Sequence, residues 1–242
     1  MIKFFRHIRQ NLLSEGKTGK YLKYAIGEII LVVIGILIAL QINNWNENRK
    51  TEEKINQFLE SLTLELSNDL TQINEVTLAQ IERANLITNA IELSKNPNIK
   101  TIILRDSIKD YNPGNNFTFF PTVGSYNAAN NAGLIDHIKN EELKRSILDL
   151  YERLYPRVVY NGGILDERTG QLEWSSKQYW NILSEDYTFD KKAILDDDFP
   201  YQLGYLNRFI RVYLKRCDDT KSGIEEVLNY IEKYLNNKRQ DL

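Results

Sequence analysis

One uninterrupted apolar run constrains this chain more than any other feature of its sequence. Residues Ala25 to Ile42 read AIGEIILVVIGILIALQI, and Glu28 is the only charged side chain among them. At about 1.5 Å of rise per residue, a helix of this length spans about 27 Å, close to the thickness of the hydrocarbon core of a bilayer. The run therefore predicts one transmembrane helix over residues 25–42.

Two other interpretations of the run are weaker. A helix buried in the core of a globular protein is rarely apolar on all sides for about five turns. A secretory signal peptide has a shorter apolar region, which ends at a cleavage site of small residues. The run ends instead in the polar sequence Asn43-Asn44-Trp45. We therefore expect the anchor to be retained.

The charges on the two sides of the run differ, and they predict its orientation. Six Lys and Arg precede the run, against Glu15 as the only acid. Residues 43–62 hold three Lys and Arg against four Glu. Because Lys and Arg are enriched on the cytoplasmic side, we expect residues 1–24 to be a basic cytoplasmic segment and residues 43–242 to lie on the other side of the membrane. Trp45 stands where an interfacial aromatic side chain belongs.

The sequence around this run also resembles a known family. The stretches MIKFFRHIR and KYLKYAIGEIILVVIGILIALQINNWNE are similar to the N-terminus of a family of bacterial single-pass membrane proteins of unknown function, seen mostly in Bacteroidota. The segment Ala132 to Tyr155 is similar to a second stretch of the same family. The resemblance implies an anchor in the bacterial inner membrane and a helical periplasmic domain. It implies no activity and no catalytic residues.

The rest of the chain predicts a mainly α fold. Residues 36–96 contain no Gly and no Pro, so they predict a long juxtamembrane helix over 43–96. The transmembrane helix either continues straight into this long helix or is followed by it, and the Asn-rich stretch 43–48 is the expected position of a hinge. One apolar stripe follows this helix, and it consists of Ile55, Leu59, Leu62, Leu66, Leu70, Ile73, Val76, Ile81, Ala84, Ile87 and Ile91. The stripe predicts either packing of residues 51–93 against a helical domain formed by 97–242, or a parallel coiled coil between copies. Its departure from strict heptads favours packing.

Shorter helices are expected beyond residue 97. The apolar periodicity predicts them over 101–109, 123–137, 140–155, 158–183, 201–217 and 222–238. The pattern Ser222-x-x-Glu225 is typical of a capping box and places the start of the last helix there.

The strongest candidate functional residues lie in the membrane run. Glu28 is an ionisable side chain within an apolar segment, where such groups serve in assembly or in ion movement. Its place about one turn from the cytoplasmic edge favours a structural or assembly role. Gly35 and Ala39 form a small-xxx-small face suited to close packing of helices, and Gly27 adds a third small residue. With Trp45, these residues are candidates for membrane contact and assembly.

No pattern in the sequence specifies catalysis, a metal or a cofactor. His7 and His137 fall on opposite sides of the expected membrane, so they cannot form one site. Cys217 closes an apolar stripe, which favours a buried side chain over a nucleophile. The acidic run Asp196-Asp197-Asp198 lacks the spacing of a calcium-binding loop. The aromatic residues at helical spacing favour core packing over a ligand groove, and they are Tyr151, Tyr155, Tyr160, Trp174, Tyr179, Trp180 and Tyr187.

The charge and the cysteine content limit the classes of partner and of site that the chain can have. The chain has 31 Lys and Arg against 33 Asp and Glu, a net charge of −2. Residues 43–242 alone have 25 Lys and Arg against 31 Asp and Glu, a net charge of −6. An acidic domain gives no reason to expect a nucleic acid as partner. With one Cys, the chain cannot form an intramolecular disulfide framework or a Cys-based zinc module.

These observations favour a membrane-anchored helical module that interacts with a partner or senses a ligand in the bacterial envelope. Its expected partners are the lipid bilayer and either another copy of the chain or an envelope protein, without a cofactor. A first alternative is a subunit of an oligomeric membrane assembly organised by Glu28, Gly35 and Ala39. A second alternative is an envelope enzyme, although no catalytic motif supports one.

Overall fold

The computed structural model describes residues 18–109, 117–176 and 198–240. These residues are mainly helical, and the prediction of a mainly α fold is confirmed. The elements in chain order are α1 (Thr18–Ser94), α2 (Thr101–Lys109), α3 (Gly124–Asn131), a 3₁₀ helix (Ile135–His137), α4 (Glu141–Asp149), a π-helix (Leu150–Leu154), α5 (Tyr155–Ser176) and α6 (Asp198–Gln240).

The chain divides into two compact units, residues 1–54 and residues 55–242. In the first unit, α1 carries the apolar run. Its large apolar side chains from Ile26 to Ile42 are each about half exposed, between 47% and 64%. An 18-residue window within this helix has a mean hydropathy of 2.6, and none of it is buried. By length and composition, the helix can therefore cross a membrane.

Helix α1 decides between the two expected forms of the juxtamembrane region. The helix is continuous from Thr18 to Ser94, so the apolar run continues directly into the long helix, and the hinge expected at residues 43–48 does not interrupt it. Asn has only a modest unfavourable helix propensity. Two ion pairs at this place, Arg49–Glu53 and Lys50–Glu47, each join residues one helical turn apart and give the helix local support.

In the second unit, one face of α1 is buried in the core. The predicted stripe is confirmed at nearly every position, from Ile55, which is 1% exposed, to Ile87, which is fully buried. Ile81 is the exception, because 43% of its side chain is exposed. The neighbouring inward position is taken by Gln80, which is 1% exposed and donates from Nε2 to the carbonyl oxygen of Phe117 at 2.7 Å.

Helices α1 and α6 run antiparallel within this unit. The Asn207 amide donates to Thr88 Oγ1 at 3.0 Å, and Ile91 packs beside Gly204. Further along, Cys217 lies within hydrogen-bonding reach of Thr77. Along this contact, residue numbers therefore rise on α6 as they fall on α1. Helix α5 packs against the same long helix α6.

The predicted start of a last helix at Ser222 is wrong, because α6 runs unbroken from Asp198 to Gln240. The residues between the two expected helices keep helical spacing, and Arg216 pairs with Asp219 one turn away. Gly223 is needed here for close approach rather than for a turn. A Cβ at this position would lie 2.4 Å from Leu154 Cδ1.

The expected helix boundary near residue 155 is also absent. Helix α4 begins after Asn140, whose side chain accepts a hydrogen bond from the Leu143 amide at 2.9 Å as an N-cap. It then passes through the π-helix into α5 without a break. Tyr151 within the π-helix and Tyr155 at the start of α5 are both buried.

Candidate functional site

The most elaborate polar arrangement in the second unit joins α1 to residues 117–125, which have no regular secondary structure up to Val123 and then enter α3. Four side chains on α1 bind the main chain of this segment, which we call the strap. These side chains, Glu65, Asp69, Gln72 and Gln80, are called the latch residues here. Gln80 donates to the carbonyl of Phe117, and Gln72 Oε1 accepts from the Phe120 amide at 2.9 Å.

The other end of the strap is held by two carboxylates. Glu65 accepts from the Ser125 amide at 3.1 Å and from the Ser125 hydroxyl at 2.8 Å. Because Ser125 lies in the first turn of α3, this carboxylate also interacts favourably with unpaired amides at a helix N-terminus. Asp69 accepts from the Thr122 amide at 3.0 Å and from the Thr122 hydroxyl at 2.8 Å.

Asp69 is the centre of the arrangement. Its side chain is almost fully buried, with 2% exposed, and it accepts a further hydrogen bond from the Tyr155 hydroxyl at 2.7 Å. Burial raises the pKa of Asp69, the hydrogen bonds from Tyr155 and Thr122 oppose that rise, and the charge of Glu65 adds to it. A buried carboxylate of this kind is tolerated because donors surround it.

Three tyrosines continue the cluster away from α1. The rings of Tyr126 and Tyr151 stack with centroids 4.2 Å apart, and Tyr151 meets Tyr155 edge-on at 4.9 Å. The Tyr126 hydroxyl donates to Glu152 at 2.5 Å. Since π-helical turns occur frequently at functional sites, we treat Asp69, Tyr126, Tyr151 and Tyr155 as the candidate site.

The tyrosine hydroxyls of the site act as donors. Burial first, and the neighbouring carboxylates second, raise the pKa of Tyr155, Tyr151 and Tyr126 above the usual range. The phenolates are therefore disfavoured at neutral pH. Asp69 already accepts from Thr122 and Tyr155, so the geometry suits an internal clamp that holds the strap rather than a reacting pair open to a substrate.

A second polar group lies further along α1. Arg83 donates from Nη2 to Thr169 Oγ1 at 3.1 Å, and Thr118 of the strap donates to Asp166 at 3.3 Å. Burial raises the pKa of Asp166, while Thr118 and the charge of Arg83 oppose that rise. This group therefore also joins the strap to α5.

The structure places the candidates from the membrane run outside this cluster. Gly27, Gly35, Ala39 and Trp45 are exposed and Glu28 is partly exposed, all on α1 in the first unit. A Cβ at Gly27 or Gly35 would meet no atom within 4 Å. The small-residue face is thus uncovered by the described part of the chain.

The other candidates are placed as follows. His137 ends the 3₁₀ helix, and Cys217 is fully buried, where burial raises its pKa to about 11. Tyr160 and Trp174 are largely exposed, at 69% and 72%, so the prediction of core packing is wrong for these two aromatic residues. Six of the candidate residues lie outside the described ranges, namely His7, Tyr179, Trp180, Tyr187, Asp196 and Asp197. No group of three or more metal-ligating side chains occurs among the residues that are described.

Sequence reasoning missed the clamp itself. Asp69 stands on the apolar stripe of α1, between Leu66 and Ile73, both fully buried. A single acid in register with buried apolar residues was the signal that could have identified it, because a buried carboxylate needs donors from elsewhere.

Comparison with known proteins identifies a family. The sequence model of one protein family, described as "Family of unknown function (DUF6090)", matches residues 28–210, about three quarters of the chain. No curated protein and no solved structure matches the chain. The matched range includes residues 28–42 of the apolar run, the latch residues, the strap and the π-helix.

Proposed function

The chain belongs to the DUF6090 family, and we propose that it is a single-pass protein of the bacterial inner membrane. Residues 1–24 lie in the cytoplasm, and the helical domain lies in the periplasm, where it interacts with a partner or senses a ligand. One observation carries the proposal: the apolar side chains from Ile26 to Ile42 are uncovered on every side of α1. Exposure of such a surface to water is unfavourable, whereas the hydrocarbon core of a bilayer is itself apolar and surrounds it without that cost.

The orientation in this proposal rests on charge. The six Lys and Arg before residue 25 favour a cytoplasmic N-terminus. The bacterial source and the periplasmic location come from the resemblance of the N-terminal sequence described above, and they belong to the proposal.

An interaction role for the domain is supported by the strap. Its main chain faces α1, yet three of its apolar side chains are exposed, with Phe117 at 52%, Phe120 at 66% and Val123 at 39%. Exposed apolar side chains on a segment whose main chain is fixed by hydrogen bonds are typical of a docking surface. The four latch residues hold this surface in one conformation, which lowers the entropic cost of binding.

The proposal is tested first by fractionation of cells that produce the full chain. We expect the protein in the membrane pellet after alkaline extraction, and we expect detergent to release it. A matched variant with Ile34→Lys and Leu37→Lys should leave the pellet or fail to accumulate, because each lysine at the centre of a span costs about 2.5–3.5 kcal/mol. Recovery of the unchanged protein in the soluble fraction would contradict the membrane assignment.

The interaction role is tested separately by site-specific photo-cross-linking at Phe120 in intact cells. We expect discrete adducts at Phe120 and none at Asn229, an exposed position on α6. An equal pattern at both positions, together with no thermal stabilisation by envelope extracts, would argue against an interaction module.

A second candidate function is a subunit of a membrane assembly organised by the anchor. The uncovered face at Gly35 and Ala39 favours it. Replacing Gly35 with Leu should reduce the oligomer size in mild detergent, and an unchanged size would count against this role.

A further inference from the structure

The outward face of α1 in the second unit is acidic. Glu60, Glu75 and Glu82 are exposed, and none of them makes an ion pair with another described residue. Residues 55–82 contain no Lys and no Arg. Leu78 lies on the same face with 68% of its side chain exposed. We call Glu75, Leu78 and Glu82 the acidic stripe.

The outward face of α6, in contrast, is basic. Residues 199–217 contain no Asp and no Glu, and Arg208, Arg211 and Lys215 are exposed. These three cations form no ion pair with a described carboxylate. Val212 stands among them, 40% exposed. We call Arg208, Val212 and Lys215 the basic stripe.

The two stripes have the same spacing in opposite directions. On α1 the order is Glu75, Leu78 and Glu82, with steps of three and then four residues; on α6 it is Arg208, Val212 and Lys215, with steps of four and then three. Each stripe is therefore about 10.5 Å long at about 1.5 Å per residue. When two such helices run antiparallel, Glu82 faces Arg208, Leu78 faces Val212, and Glu75 faces Lys215.

Within one domain α1 and α6 are antiparallel, as the contacts of Thr88 with Asn207 and of Thr77 with Cys217 establish. Two copies in the same orientation, side by side, therefore present α1 of one and α6 of the other in the antiparallel direction that the stripes require. The register of the stripe pairs differs by four to five residues from the register of these contacts within one domain, so neighbouring domains pack with an offset of about 7 Å along the helix axes. Copies anchored in one membrane share an orientation, and in this respect the inference rests on the proposed function.

We propose that the domain binds a second copy of itself through unlike faces, the acidic stripe of one copy on the basic stripe of the next. Two acidic stripes would repel each other, so α1 does not pair with α1 through this face. The contact is heterologous: each copy keeps one free stripe, and the assembly grows into a ring or a row. The apolar pair at its centre and the flanking charges match the anatomy of a small, transient interface.

The test uses charge reversal in the full chain, purified in mild detergent at low salt. One variant carries Glu75→Lys and Glu82→Lys, and the other carries Arg208→Glu and Lys215→Glu. We expect the self-association of each variant alone to be weaker by about tenfold or more, as measured by light scattering over a concentration series. A mixture of the two should regain association, because the basic α1 of one now meets the acidic α6 of the other.

The control reverses two exposed acids outside the stripes, Glu226→Lys and Glu232→Lys, and should leave association unchanged. Disulfide cross-linking supplies the register: Leu78→Cys in one copy and Val212→Cys in another should form a mixed dimer under mild oxidation. The buried native Cys217 remains in place.

Loss in both single variants without recovery in the mixture would overturn the proposal, and so would no loss in either variant. Loss confined to the Arg208→Glu and Lys215→Glu variant would also overturn it, because the basic stripe would then serve a different acidic ligand. All variants should stay in the membrane pellet, so a failure here is distinct from a failure of the membrane assignment.

Discussion

Replacing Asp69 with Ala should destabilise the domain, and the structure sets the size of the effect. Tyr155 is 2% exposed, and its hydroxyl donates to Asp69 at 2.7 Å. The substitution removes this acceptor and leaves the buried hydroxyl without a partner. An orphaned buried donor costs about 1–3 kcal/mol. The hydrogen bonds from Thr122, which is more exposed, add about 0.5–1.5 kcal/mol. We therefore expect the free energy of unfolding to fall by about 2–4 kcal/mol.

The assay is guanidinium unfolding of the full chain in detergent, followed by tyrosine fluorescence and far-ultraviolet circular dichroism. The control is Glu75→Ala on the exposed face of the same helix, which should change the free energy of unfolding by less than about 0.5 kcal/mol. A double-mutant cycle with Tyr155→Phe should give a coupling energy of about 1 kcal/mol or more. A loss for Asp69→Ala no larger than that of the control would refute the assignment of Asp69 as the centre of the clamp.

Three further predictions follow from individual contacts. Burial raises the pKa of Asp69 above 3.8 in the folded state, so the folded chain holds a proton on this carboxyl more tightly than the unfolded chain does. The part of the stability that comes from this proton is fully present below pH 3.8 and is lost as the pH rises through the folded pKa, while the hydrogen bonds from Tyr155 and Thr122 remain. The advantage of the native chain over Asp69→Asn should thus shrink from pH 3.8 upward, and a growing advantage would contradict this sign. Gly223→Ala should cost about 1–3 kcal/mol, because the new Cβ meets Leu154, whereas Gly163→Ala, with no atom within 4 Å, should stabilise by about 0.5–1 kcal/mol; equal effects in thermal unfolding would refute the packing. Cys217, buried with its pKa raised to about 11, should resist maleimide at pH 7 until the chain is unfolded, and rapid labelling of the folded protein would contradict its burial.

The helical class and the buried face of α1 were predictable because periodicity records which side of a helix meets the core. Ile55, Leu59 and Leu62 follow the helical period, and all three are buried. The same reasoning placed Ile81 inside, where it is not, since the pattern does not show that Gln80 would take the inward position to hold Phe117.

The clamp depended on partners that are distant in sequence. Asp69 lies 53 residues from Thr122 and 86 residues from Tyr155, and no local pattern specifies such pairs. The break expected at Ser222 failed for a related reason, because the capping motif describes only local bonds. Gly223, the next residue, closely approaches Leu154 on a different helix, and the capping motif holds no information about such a distant partner.

The most direct test of the central claim is cysteine accessibility in cells whose outer membrane has been permeabilised. Tyr160→Cys lies on the domain surface, where the native side chain is 69% exposed, and Ser14→Cys lies before the apolar run. For a periplasmic domain and a cytoplasmic N-terminus, a membrane-impermeant maleimide should label Tyr160→Cys at once and Ser14→Cys only after lysis. Labelling in the opposite order, or of both positions before lysis, would contradict the account.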